Sequence, residues 1–200
     1  LCYIDRAGVT RGMFTGRKIR QWRPRFGITS MAEAIHDETV RELTEQLLTR
    51  LNYRGYGSVE FKVDPRDGTF RIMEITGRTW FPHALSERCG VNLPYIAYCD
   101  LTGRQVPPAP WPHPTGRKWI AEESDWKSAR FYRSVGELTV RDWIRSYRGP
   151  RTWAHFALDD PIPGLVVVAG LIIRAAVAPL RLLVRYARRL LGRASGPSGP

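Results

Sequence analysis

Glu60, Glu74, Thr76 and Arg78 are the residues of this chain whose types and spacing can do chemistry together. Val59, Phe61 and Val63 alternate with Ser58, Glu60 and Lys62, which predicts a strand with one apolar face and with Glu60 on the other. Asp64-Pro65-Arg66-Asp67-Gly68 predicts a chain reversal, because Pro presets φ, Asp bonds its own backbone and Gly accepts a positive φ. The returning strand then carries Glu74, Thr76 and Arg78 at i, i+2 and i+4, placing two oxygen ligands and a guanidinium in a row on one face. Two carboxylates on paired strands beside an arginine suit a hard divalent cation that bridges phosphate oxygens. Magnesium binds in this way, through one or two carboxylates plus the phosphates of its substrate. The same spacing also fits a solvated hairpin face on which Glu60, Lys62, Glu74 and Arg78 merely pair across strands.

Several elements must hold such a hairpin in place. Residues 1–26 read as two strands around Asp5-Arg6-Ala7-Gly8, then Met13-Phe14-Thr15-Gly16 and a basic run, Arg17-Lys18-Ile19-Arg20. Asp37 is the expected N-cap of a helix reaching Leu51, with Val40, Leu43, Leu47 and Leu51 as its apolar stripe and with Asn52 and Gly55 closing it. A short helix from Trp80 to Cys89 is expected to stop at Gly90, and another to begin at Pro94 and end before Gly103. Trp80 and Phe81 lie near the site, either shaping a pocket or simply filling core.

Taken together, the segment from Gly27 through the capped helix to Asn52-Tyr53-Arg54-Gly55-Tyr56-Gly57, then Val59-Glu60-Phe61-Lys62, Asp67-Gly68, Met73-Glu74-Ile75-Thr76-Gly77-Arg78 and Gly90-Val91-Asn92-Leu93-Pro94, resembles the C-terminal half of an ATP-grasp domain. The likeness is to D-aspartate ligase-like and carbamoyl-phosphate-synthase-like ATP-dependent carboxylate ligases, and it covers roughly residues 1–103. It implies ATP as cofactor with Mg2+ (or Mn2+), held by Glu60, Glu74 and Thr76. Arg78 would contact phosphate or the forming acyl phosphate, and Arg17 or Lys18 would approach phosphate from the bordering hairpin. The partners it implies are a small carboxylate and an amine or other nucleophile. Thr76 and Gly77 stand where the family usually has Asn and Pro, which means either a weaker second metal site or a catalytically degenerate copy. The family's N-terminal half, with its lysine-bearing strands, has no counterpart in these residues, so the chain reads as a fragment expected to be inactive on its own.

Composition narrows the classes further. The formal net charge is +12, and of the 31 basic residues only Lys18, Lys62, Lys118 and Lys127 are lysines. Residues 161–200 contain six arginines and no acid, so half of the excess belongs to the tail and points to an anionic surface there. No interleaved aromatic and basic motif supports nucleic-acid binding. Cys2, Cys89 and Cys99 fit no metal-ligand pattern and agree with a reducing, cytoplasmic setting. His36, His83, His113 and His155 lack zinc-type spacing and read as structural or surface residues.

The remainder divides by character. Pro107, Pro108, Pro110, Pro112 and Pro114 mark an extended linker, and residues 115–160, with a short helix over Val140–Ser146, read as an accessory segment. Residues 164–191 pair an apolar run with Arg181, Arg185 and Arg188 at i, i+4 and i+7. That pattern is expected to lie in a membrane interface, or else to dock on protein. The reading is thus an α+β ATP-grasp C-terminal subdomain (antiparallel sheet with packed helices) over 1–103, a linker and accessory segment over 104–160, a membrane-associating amphipathic helical tail over 161–193 and a flexible end over 194–200. The expected protein is a cytoplasmic ATP-dependent ligase, peripheral at the inner face of the cell membrane. The alternative is a non-catalytic nucleotide-binding or membrane-scaffold module of the same ancestry.

Overall fold

A computed structural model of the chain describes residues 1–173 and 176–177. The chain divides into two units, Leu1–Ala154 and His155–Pro200. The first is α+β, with two four-stranded sheets. One sheet holds β1 (Cys2–Ile4), β2 (Thr10–Met13), β5 (Gly55–Val63) and β6 (Phe70–Thr76) in the order β2-β1-β5-β6. The other holds β3 (Gly16–Trp22), β4 (Ile28–Ala34), β7 (Lys118–Ile120) and β8 (Arg151–Trp153) in the order β3-β4-β7-β8. Neighbouring strands run antiparallel except β7 and β8, which are parallel.

Five helices surround these sheets: α1 (Glu38–Arg50), α2 (Ala84–Arg88), α3 (Leu93–Leu101), α4 (Glu122–Ser134) and α5 (Val140–Ser146). β1 is buried on both faces because its side chains alternate. Cys2 and Ile4 join Met13 and Leu48 of α1 in one cluster, whereas Tyr3 joins Phe14, Leu93, Ile96 and Trp119 in a larger one. The Tyr3 hydroxyl donates to Asp100 of α3 at 2.8 Å, anchoring that helix to the sheet. α1 begins as expected: the Asp37 carboxylate accepts from the Val40 N–H at 3.0 Å. α3 likewise begins with Asn92 accepting from the Tyr95 N–H at 3.0 Å and with a proline in its first turn.

Four expectations need correction. The buried stripe of α1 runs through Thr44 and Leu48, while Leu51 is 56% exposed. Thr44 can be buried because its hydroxyl donates to the Val40 carbonyl at 2.7 Å. The helix expected from Trp80 forms only over Ala84–Arg88. The proline-rich stretch is irregular but not free: Val106 and Ala109 pack against the larger core cluster, Trp111 against the smaller, and His113 is 3% exposed. The segment read as an accessory supplies β7 and β8 to the second sheet, and the first unit accordingly runs past residue 103 to Ala154.

In the second unit, residues 162–173 are helical, and Ile162, Leu165, Val166, Val168, Ile172 and Ile173 are between 49% and 68% exposed. Among the described residues no helix is long and apolar enough to cross a membrane. Arg181, Arg185 and Arg188, and the end over 194–200, lie outside the described residues.

Candidate functional site

The β5–β6 hairpin forms around the expected turn. The Asp64 carboxylate accepts from the Arg66 backbone N–H at 3.1 Å and from its guanidinium at 2.9 Å, and Gly68 takes φ +71°, a value favouring a residue without Cβ. Along the ladder Ser58 faces Thr76 and Glu60 faces Glu74. Directly opposed residues share a face, so these four side chains line one side of the ribbon. Immediately beyond, the register slips and Phe61 faces Ile72, leaving Met73 as an extra residue on β6. This bulge ends the simple alternation read from the sequence and confines the acid pair to the half of the hairpin nearest its open end.

Arg78 departs from the expected row. β6 ends at Thr76 and the chain bends at Gly77, so Arg78 lies past the strand and is exposed. A Cβ at Gly77 would come within 3.0 Å of the Tyr53 hydroxyl, and the bend follows where the chain passes that ring.

A cavity of about 500 Å³ lies beside the hairpin. Glu60, Lys62 and Phe61 line it from β5, Arg17 and Lys18 from β3, and Trp80 from beyond β6. Lys18 donates to Glu60 at 2.5 Å, and both side chains are about one-third exposed. Arg17 instead pairs with Glu33, its neighbour on β4, at 2.8 Å. Glu74, Thr76 and Arg78 do not line the cavity. The structure therefore joins Lys18 to Glu60 and Glu60 to Glu74, and leaves Arg78 apart.

Another part of the cavity wall depends on a histidine that the sequence marks only as structural or surface. His113, from the proline-rich strap, accepts the Thr15 N–H on Nε2 at 3.1 Å and donates from Nδ1 to the Pro114 carbonyl at 3.0 Å, and it stacks on Phe14. The Thr15 hydroxyl donates to the Ile35 carbonyl at 2.6 Å and accepts from the Asp37 N–H at 3.3 Å. Thr15, Ile35 and Asp37 all line the cavity. Burial holds His113 below the usual histidine range, against the opposing pull of the Pro114 carbonyl.

Two opposed carboxylates and a hydroxyl form a hard oxygen donor set that fits magnesium or manganese if phosphate oxygens complete the shell. Among the described residues no group of three or more His, Cys, Asp or Glu is arranged to hold a metal without such help. Residues 29–98 match the carbamoyl-phosphate synthase L chain, ATP binding domain. That is an ATP-grasp-type domain. The match runs from β4 through α1 and the hairpin into α3 and contains Glu60, Glu74, Thr76 and Arg78, while Arg17 and Lys18 precede it. It supports ATP binding and, at a coarse level, an ATP-dependent ligase-type function for the matched segment. No curated protein matches the chain, and no solved structure matches it.

Proposed function

We propose that the first unit binds ATP with Mg2+ (or Mn2+) beside the β5–β6 hairpin and serves an ATP-dependent carboxylate ligase of the ATP-grasp type. The observation that carries this is the direct opposition of Glu74 to Glu60, which lines a cavity together with Arg17, Lys18 and Lys62, both acids lying within the segment matched to an ATP-binding domain. Glu60, Glu74 and Thr76 would hold the cation, which would supply positive charge to neutralise the transferring phosphoryl group. Lys18 and Arg17 would bind phosphate oxygens from the cavity rim, and Arg78 would stabilise developing negative charge. In the implied reaction a carboxylate oxygen attacks the γ-phosphorus and ADP leaves. An amine or other nucleophile then attacks the acyl carbon and phosphate leaves.

Glu74→Gln should weaken magnesium-ATP binding about ten-fold or more, the scale of one charge-assisted contact, and leave the melting temperature almost unchanged because Glu74 is exposed. Calorimetric titration giving wild-type affinity would sink the assignment. A second reading, a non-catalytic nucleotide-binding or membrane-scaffold module, draws support from the position of Arg78 outside the cavity. It predicts magnesium-ATP binding without acyl-phosphate formation, trapped as a hydroxamate, under any carboxylate supplied.

The tail reading is carried by the exposed apolar residues of the 162–173 helix together with the six arginines after residue 160. Binding to anionic vesicles should weaken without vanishing as salt rises, since screening removes the arginine attraction but not apolar burial. A chain truncated after Pro163 that aggregates would favour a protein-docked tail instead.

A further inference from the structure

We propose that the outward face of α5 is a docking surface for an anionic lipid membrane, on grounds that rest on neither the nucleotide reading nor the tail. At 100° per residue, Val140, Ile144, Arg141 and Arg145 fall within about 140° of helical arc, and Arg148 continues that side one turn on. These five side chains line a single open depression of about 530 Å³. Other positions of the helix are taken. Tyr147, its C-cap, donates to buried Asp125, and Ser146 accepts from Arg20 at 2.9 Å. Those contacts fasten the end of α5 to α4 and β3, and Val140, Arg141, Ile144, Arg145 and Arg148 are all exposed.

Charge and hydrophobicity together select the partner. Arg141 and Arg148 have no ion-pair partner among the described residues, and Arg145 is shared only loosely with Asp142 at 3.5 Å. Unpaired guanidiniums complement a negative surface. Val140 and Ile144 are 45% and 63% exposed in their midst. Nucleic acid offers such aliphatic side chains little to pack on and is usually met by stacked aromatics, which this face lacks. The acyl boundary beneath a lipid headgroup accepts aliphatic side chains while its phosphates take the arginines.

The test is co-sedimentation of the full chain with vesicles of phosphatidylserine and phosphatidylcholine at about 0.1 M salt. Each arginine at an anionic surface is worth about five-fold in partitioning, so R141A/R148A should lower binding about 25-fold. R50A/R88A, which removes equal charge from exposed sites on α1 and α2, should lower it only a few-fold. I144S should lose binding mostly at high salt, where the apolar contribution dominates. Equal losses for the two double variants would overturn the proposal, because long-range charge or the tail alone would then account for binding. Binding to polyglutamate or duplex DNA that falls with R141A/R148A but ignores I144S, with no vesicle binding, would also overturn it. Since Arg141, Arg148 and Ile144 are exposed, unchanged melting temperatures should accompany every variant.

Discussion

Lys18 and Glu60 illustrate how one contact can report on a site before its ligand arrives. The lysine ammonium occupies the carboxylate that a divalent cation would need, 2.5 Å away. Both groups are partly solvated, so Lys18→Met should change stability by less than about 1 kcal/mol. It should nevertheless raise the affinity of the bare protein for Mn2+, followed by water-proton relaxation, while lowering the affinity for magnesium-ATP. A parallel fall in both would show that Lys18 merely shapes Glu60. Thr76 poses the complementary question. It faces Ser58 beside the acid pair, and a hydroxyl is a weaker oxygen ligand than an amide carbonyl. Thr76→Asn should hold or raise magnesium-ATP affinity if Thr76 is a ligand, and a sharp loss would assign it another role.

At the scale of elements, the second sheet is joined to the helices over it by a buried ion pair. Arg20 of β3 reaches Asp125 of α4 at 2.7 and 2.9 Å, with side-chain exposures of 5% and 0%. The same guanidinium bonds Ser146, and Asp125 also accepts from Tyr147. Three elements therefore share one desolvated network, in which each partner satisfies the others. Removing one member leaves a buried charge without compensation, so Arg20→Met should destabilise the protein by about 3–5 kcal/mol in urea denaturation. Arg20→Met with Asp125→Leu should recover part of that loss. A single substitution costing under about 1 kcal/mol would mean that the network is solvated in solution.

Across the molecule, the proline-rich strap makes the cavity wall sensitive to pH. His113 bonds Thr15 only while Nε2 is unprotonated, and burial lowers its pKa below the ordinary value. The unfolded chain takes up a proton near pH 6.5 while the folded chain resists it. The unfolded state thus binds more protons below that pH, and stability falls as pH drops through the window beneath about 6.5. Urea midpoints measured from pH 7.5 to 5.5 should decline, and His113→Gln should flatten that slope while lowering stability throughout. An unchanged slope would place the pH dependence elsewhere.

The chain's local chemistry was legible because it depends on neighbours in sequence. Asp37 capping α1, the turn from Asp64 to Gly68 and the helix over Val140–Ser146 all follow from side chains bonding backbone within four residues. Of the acid pair only the placement of two carboxylates on paired strands was legible, since the register set by the turn would oppose Glu60 to Met73 and the bulge at Met73 is what brings Glu74 across from it. Tertiary structure decided what local rules do not reach. The bulge at Met73 broke the alternation, and the bend at Gly77, beside the Tyr53 hydroxyl, took Arg78 out of line. α4 was missed because its N-cap is Ala121 and its buried positions are Asp125, Ser128 and Ala129. It shows neither a capping side chain nor an apolar stripe, and its polar residues are buried only because Arg20 and the Gln21 carbonyl, more than a hundred positions earlier, satisfy them. His113 could be read only as structural or surface for a like cause, because its partner Thr15 lies 98 residues away. Capping and turn formation act over a few residues and can be read along the chain. Burial of a polar group depends on which distant partner desolvates with it, and only the folded arrangement determines that.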